Sequence, residues 1–304
     1  MTDILDPTAP PHANMSRRVF VGLSSGAIAA SSAIARALAD GTTLGAPHPP
    51  LVSEDDPDIR VERPSLARTD GKIDAYAAMP AGRGADTPGV VVTQHIWGVD
   101  AQIRDVVRRL AKSGFVAIAP NLYARQHAPS GDGASDIKIF SPFSQALVDD
   151  QVDGDLQAAA AWIRSSASAP SSASAPKVGI MGFCMGGTIT LRNAVDSPQF
   201  SAASVFYGKI RQSTSTDGAA TEMSLAYADE IKMPLCGNWG ARDTSIPAAD
   251  VAALRSRLTV PNDLKVYDGA GHAFFDDTRP SYFATAAADA WSRTLAWFHK
   301  YAAV

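Results

Sequence analysis

The chain has 304 residues, 27 Lys+Arg against 31 Asp+Glu for a net charge of −4, and 46% apolar residues. This is the balance of a globular protein, and its mild acidity excludes the basic face of a nucleic-acid binder. Two cysteines, Cys184 and Cys236, exclude a disulfide framework, and six scattered His with no H-x-x-x-H or C-x-x-C pair carry no metal motif.

The first segment reads as an address. Residues 16–21 are Ser-Arg-Arg-Val-Phe-Val, Gly22 to Ala35 is weakly apolar and rich in Ala, Ser and Gly, and Ala37-Leu38-Ala39 is a small-x-small cleavage site. Paired basic residues, a mild apolar core and a cleavage site, in that order, make 1–39 a twin-arginine signal peptide. The precursor's expected partner is the twin-arginine export machinery. The mature protein is expected in the periplasm or secreted. It is expected free of the membrane, since no run of about 18 strongly apolar residues stands in the chain.

Residues 40–60, rich in Pro, Asp and Gly, read as a linker or extended arm, and 61–304 as one domain. Arg60–Arg63 and Ile73–Met79 are expected as edge strands around the turn Thr69-Asp70-Gly71-Lys72. The β-branched run Gly89–Gln94 reads as a strand buried on both faces. Ile103, Val106, Val107 and Leu110 fall at helical spacing, and Gly114 closes that helix. Phe115–Ala119 is the next strand. Ser141 and Pro142 are expected to open a long helix to Arg164 as N-cap and first residue. Ser165–Pro176 reads as a surface loop. Strands at Lys177–Met181, Ala203–Tyr207, Pro234–Trp239 and Leu264–Tyr267 alternate with helices at Thr188–Val195, Pro247–Leu258 and Tyr282–Tyr301. That alternation predicts an α/β fold, a mostly parallel central sheet flanked by helices.

The strand Lys177–Met181 runs into Gly182-Phe183-Cys184-Met185-Gly186-Gly187, where a helix begins. This is the G-x-S-x-G nucleophile elbow with Cys in the nucleophile seat. A helix N-terminus under the sulfur favours thiolate. The elbow's partners follow in the order nucleophile, acid, histidine that α/β-hydrolases use. Asp243 follows the strand Pro234–Trp239 and His272 follows Leu264–Tyr267. Both stand at carboxyl ends of strands, where open α/β sheets build their sites. His272 would take the thiol proton and Asp243 would fix its tautomer. Cys236, inside an apolar strand with no partner pattern, reads as a buried small hydrophobe. The oxyanion hole needs two backbone N–H groups: Met185, after the nucleophile, and Ile96, from the loop after Val90–Gln94.

These segments resemble the dienelactone hydrolase (carboxymethylenebutenolidase) family from about residue 70 to 300. The resemblance rests on Gln94-His95-Ile96-Trp97-Gly98-Val99, on Ala119–Gln126, on the Cys-bearing elbow, and on Gly269-Ala270-Gly271-His272-Ala273-Phe274. It implies hydrolysis of an enol-lactone through a Cys-His-Asp triad, here Cys184, His272 and Asp243, without a cofactor or a metal. Two departures stand out. The family carries Glu, which contacts the resting thiol, where this chain has His95. His95 is left to accept the thiol proton, hydrogen-bond the thiol, or support the loop. The family binds the substrate carboxylate with Arg side chains and a Ser. Here Ala273 takes the Ser position and Asp276 one Arg position, so an acidic group would repel a carboxylate. Arg125 and Arg279 remain as cations.

The function expected from the sequence is hydrolysis of a small-molecule ester or lactone, with Trp97, Tyr123, Phe183 and Phe274 as pocket walls. A thioesterase or general carboxylesterase on the same triad is the enzymatic alternative. A periplasmic thiol sensor or binding protein is the non-catalytic one.

Overall fold

Parallel strands bring their carboxyl ends to one edge of a sheet, and here that edge gathers the loops singled out above. The computed structural model describes residues 47–84, 86–166, 176–211, 225 and 227–303. The twin-arginine segment and its cleavage site lie outside them, as does most of the connection 165–176. Among the described residues the strands are β1 (Ile59–Glu62), β2 (Ser65–Arg68), β3 (Gly71–Pro80), β4 (Gly89–Thr93), β5 (Val116–Pro120), β6 (Val178–Phe183), β7 (Ala202–Phe206), β8 (Leu235–Gly240) and β9 (Asn262–Tyr267). The α-helices are α1 (Ala101–Lys112), α2 (Ile137–Gln145), α3 (Asp149–Ser166), α4 (Met185–Asn193), α5 (Ala248–Arg257) and α6 (Ala284–Tyr301).

The sheet order is β1-β3-β5-β4-β6-β7-β8-β9, with β2 paired to β3 beside it. Neighbours from β5 to β9 are parallel, whereas β3 is antiparallel to β5 and to β1. Strands β4 to β8 are buried along their whole length, as parallel strands covered on both faces must be. α1 packs on β3 and β5, α3 on β4 and β5, α4 on β6 and β7, and α6 on β7 and β8. In α1 the apolar stripe Ile103, Val106, Val107 and Leu110 is fully buried, and Asp100 caps the helix by accepting the Ile103 N–H at 3.1 Å.

Two sequence expectations are corrected. The helix expected over 142–164 is two helices, α2 and α3, with a break at residues 146–148. Asp136, not Ser141, caps α2, accepting the Lys138 N–H at 2.9 Å. Pro142 therefore sits inside a helix, where its missing N–H and its ring cost a helical bond. The turn at 69–72 does not join the two strands assigned to it. Ser65–Arg68 makes the hairpin with Gly71–Asp74, while Ile59–Glu62 pairs with the far half of β3, Ala77–Pro80. A ten-residue strand is long enough to carry two short partners in tandem, and Pro64 separates them.

Residues 47–58, within the segment read as linker or arm, lie along α1. The Leu51 and Val52 N–H groups donate to the Asp105 carboxylate at 2.8 and 2.9 Å, and Arg108 donates to the Val52 carbonyl. Lys112 reaches Asp56 and Asp58.

Candidate active site

The elbow is built by close backbone approach. A Cβ on Gly186 would stand 2.3 Å from the Thr93 carbonyl oxygen, so only glycine lets α4 begin so close to β4. Cys184 itself takes φ 53° and ψ −115°, a strained backbone for a residue with a side chain. Its N–H donates to Phe206 O at 3.0 Å, and its carbonyl accepts from Thr188 at 3.1 Å. The thiol stands partly exposed, directly before the first residue of α4.

The Asp243 and His272 loops are tied to each other. A Cβ on Gly240 would meet the Ala270 carbonyl oxygen at 2.5 Å, and the Arg242 N–H donates to that carbonyl at 2.8 Å. The result is a single file. His272 Nε2 lies 3.1 Å from Cys184 Sγ, and His272 Nδ1 lies 2.6 Å from Asp243 Oδ2. The other Asp243 oxygen accepts from the Ser245 N–H at 2.9 Å and its hydroxyl at 2.6 Å. Both carboxylate oxygens are thus held, and the ring can take one orientation only.

Electrostatics follow from the geometry. Burial pushes the Cys184 thiol up, but the His272 hydrogen bond and charge, the His95 charge and the Met185 amide outweigh it, so the thiol lies below its ordinary value. Burial lowers His272, yet the bonds to Asp243 and Cys184 win and raise it to about 10. Burial raises Asp243, and the His272 and Ser245 hydrogen bonds outweigh that, holding its carboxyl low. All three directions favour a thiolate–imidazolium–carboxylate line at neutral pH, titrating as a coupled unit. Cys236 behaves oppositely: fully buried on β8, it is pushed up to about 11 by burial.

Of the sequence-derived oxyanion donors, the Met185 amide points at the sulfur. Ile96 lies on the loop after β4, its carbonyl held by the Tyr123 hydroxyl at 3.0 Å. Trp97 stands on the same loop, and Tyr123 reaches it from the connection after β5. Phe140 of α2 packs edge-on against Trp97 at 5.4 Å, and Phe143 lies 6.1 Å from Tyr123, so α2 roofs them. Trp97, Gly98 and Tyr123 line a cavity of about 270 Å³ together with Arg63 and Arg104, but neither Cys184 nor His272 lines it. Phe183 and Phe274 are buried. Phe183 stacks on Phe275 at 5.5 Å, and Phe274 packs on Tyr207 at 5.4 Å. They form the floor beneath the site and present no surface to a ligand in this state. Tyr207, with φ 39°, instead brings its ring to 5.2 Å from His272.

His95 is buried, with Nε2 2.8 Å from Asp100 Oδ1 and Nδ1 3.9 Å from Asp276 Oδ2. Asp276 does not project a bare charge, contrary to the sequence expectation. Its oxygens accept from the Thr278 N–H and hydroxyl and from Arg279 Nε. Arg279 in turn lies 4.1 Å over the Trp97 ring and donates to the Ala134 carbonyl. Arg125 is spent elsewhere, on Asp70 and Asp155. Asp100 and Ser245 were missed as site residues by the sequence reading. The first was legible as a helix cap and the second as an Asp-x-Ser turn, but neither pattern names the ring it steadies.

The dienelactone hydrolase family model matches residues 73–302. A "Putative carboxymethylenebutenolidase" of Salmonella typhimurium is 36% identical over 256 residues, covering 83% of this chain and 92% of that one. A "Probable 2-oxo-3-(5-oxofuran-2-ylidene)propanoate lactonase" of Bradyrhizobium is 32% identical over 224 residues, covering 73% and 86%. Among solved structures, a "Putative Dienelactone Hydrolase" from Klebsiella pneumoniae superposes with a TM-score of 0.71 at 35% identity, covering 80% of this chain and 99% of that chain. With a matching family model, relatives above 30% identity and the nucleophile elbow on an α/β-hydrolase sheet, the chain belongs to the dienelactone hydrolase family of hydrolases.

Proposed function

We propose that the protein hydrolyses a small lactone or activated ester through Cys184, His272 and Asp243, by way of a thioester acyl-enzyme. The observation that carries this reading is the single file of Sγ, imidazole and carboxylate at 3.1 and 2.6 Å. The Cys184 thiolate attacks the carbonyl carbon, and the Met185 and Ile96 N–H groups hold the oxyanion. The C–O bond to the leaving group breaks as His272 Nε2 gives its proton to that oxygen. Water then attacks the thioester, His272 takes its proton, and the thiolate leaves with the acid product. A thiolate is a good leaving group, so it returns to substrate unless the other group also leaves well. That favours enol-lactones and activated esters over amides. With Arg125 and Arg279 both engaged, a neutral lactone fits this site better than one that needs a cation for its carboxylate. A thioesterase differs only in leaving group, and relative kcat/KM on matched lactone, ester and thioester separates the two.

Mixing the reduced protein with p-nitrophenyl acetate is expected to release nitrophenol and to leave an acetyl group on Cys184, seen by rapid-quench mass spectrometry. The same assay is expected to give a pH plateau. The acidic limb lies below the ordinary thiol range, because the thiol is lowered. On a simple alkyl ester, whose leaving oxygen needs a proton, an alkaline limb is expected as well, as His272 loses its raised proton at about 10. Nitrophenol release with no acyl group on Cys184 would remove the covalent mechanism.

We further propose that 1–39 exports the folded protein by the twin-arginine route, on the strength of Arg17-Arg18 and Ala37-Leu38-Ala39. Cell fractionation should find the shortened chain outside the cytoplasm, and an Arg17→Lys/Arg18→Lys precursor retained inside. Equal export of the two would overturn it.

A further inference from the structure

Two of the three positions that depart from the family pattern, His95 and Asp276, face each other. His95 follows β4 and precedes the oxyanion residue Ile96. Its ring has a carboxylate on the side of each nitrogen: Asp100 hydrogen-bonded at Nε2, 2.8 Å, and Asp276 at ion-pair distance from Nδ1, 3.9 Å. A neutral imidazole has one N–H and one lone pair, and a lone pair turned to a carboxylate is repelled. Only the doubly protonated ring offers a hydrogen toward both. Neither carboxylate is free to turn away. Asp100 is fixed as the cap of α1 through the Ile103 N–H, and Asp276 is fixed by Thr278 and Arg279.

The charges around the ring lead to the same conclusion. From α1 comes Asp100, and from the loop after β9 come Asp276 and Arg279, the latter 4.0 Å from Asp100 as well. From the elbow comes Cys184, and beyond it His272, while Tyr207 after β7 is buried and held neutral by burial. Two carboxylates and one guanidinium leave this buried knot one negative charge in excess. A proton on His95 cancels it, and an uncompensated buried charge is what proteins avoid. Burial alone would lower His95. The Asp100 charge and hydrogen bond, then Asp276 and Cys184, reverse that and raise it.

We propose that His95 is a standing imidazolium, clamped by Asp100 and Asp276, that holds Cys184 as a thiolate before any substrate arrives. This rests on the reading of Cys184 as the nucleophile. His95 does not take the thiol proton, because it already carries both of its own. It acts on the sulfur as a second cation beside His272: its chain neighbour Gln94 lies against the elbow, where a Cβ on Gly186 would meet the Gln94 carbonyl oxygen at 2.4 Å. The site is then armed permanently and open to electrophiles and oxidants in the resting state.

The test uses resting protein without substrate. The rate of iodoacetamide labelling at Cys184, read by peptide mass spectrometry, is followed from about pH 4 to pH 9. The wild-type midpoint is expected below the ordinary thiol range. In His95→Gln it is expected to rise by about one pH unit, which lowers labelling near the foot of the curve about tenfold. Asp276→Asn is expected to shift it the same way by less. Melting curves show whether each variant is folded. A wild-type readout keeps the test open if neither is. In ¹H–¹⁵N spectra of histidine-labelled protein, both His95 ring nitrogens should carry protons through neutral pH. A folded His95→Gln with the wild-type midpoint, or a His95 that is neutral at pH 7, overturns the proposal. Protein that hydrolyses esters through Cys184 but has a neutral His95 loses this inference alone. Protein that hydrolyses nothing yet shows the acid-shifted, His95-dependent labelling keeps it and loses the hydrolase reading.

Discussion

Cys184→Ala is expected to lower kcat/KM on an activated ester by on the order of 10⁴ to 10⁶, to near the buffer rate. His272→Ala should fall almost as far, and the double variant should be no worse than either. The two act as one unit, since a thiolate without its imidazolium and an imidazolium without its thiolate each fail at the same step. Asp243→Asn should cost less, on the order of 10² to 10⁴. Its amide would still accept from Ser245, but it would no longer stabilise a charged His272. The three losses should appear in kcat more than in KM, because none of these groups binds remote parts of a substrate. Circular dichroism and melting should be close to wild type for Cys184→Ala, whose side chain is small and partly exposed. Retention of a tenth or more of the activity by a folded Cys184→Ala would remove the thiol from the mechanism. A wild type that is inactive on every ester and lactone would instead favour a sensor on the same fold.

The elements that carry the chemistry were legible because each has a local cause. The elbow glycines answer to backbone approach within a few residues. Asp243 and His272 stand shortly after the carboxyl ends of the neighbouring parallel strands β8 and β9, and a parallel sheet brings such positions together. The helix break at 146–148 was not legible. Ser141-Pro142 looks like a start, and the true start depends on Asp136, one turn earlier, together with the packing of Phe140 on Trp97. The hairpin β2–β3 was mispaired because Ser65–Arg68, the segment next to the turn, has no β-branched residue and does not read as a strand. The His95 knot was least legible of all. It joins residues 95, 100, 276 and 279 across the sheet edge, and the sequence offered each departure as a separate puzzle. Asp276 looked like a repulsive wall until its three hydrogen bonds, from Thr278 and Arg279, were in view.

The largest stability effect is expected at Asp105, on the face of α1 away from solvent. Its carboxylate is almost wholly buried. One oxygen accepts from the Val52 N–H and the other from the Leu51 N–H and Arg109 Nε. Arg109 is fully buried too, and its second anchor is Asp277, in the loop that carries His272. The same loop receives the His48 N–H at the Asp277 carbonyl, 2.8 Å away. Asp105 thus joins the arm 47–58, helix α1 and the His272 loop at one point. Asp105→Ala would strand a buried guanidinium with half its partners and orphan two arm N–H groups. Removing one member of such a buried pair costs about 3–5 kcal/mol, far more than an exposed ion pair of the same length. Arg109→Met should cost a similar amount, since it leaves Asp105 and Asp277 buried together without their shared cation. The Asp105→Ala/Arg109→Met double should be less destabilised than the two losses added, by about 1–3 kcal/mol of coupling. Urea unfolding of the four proteins measures all of this. Additive losses, or an Asp105→Ala that unfolds where wild type does, would mean that the apolar core alone holds the arm and the His272 loop, and that the buried charges are bystanders.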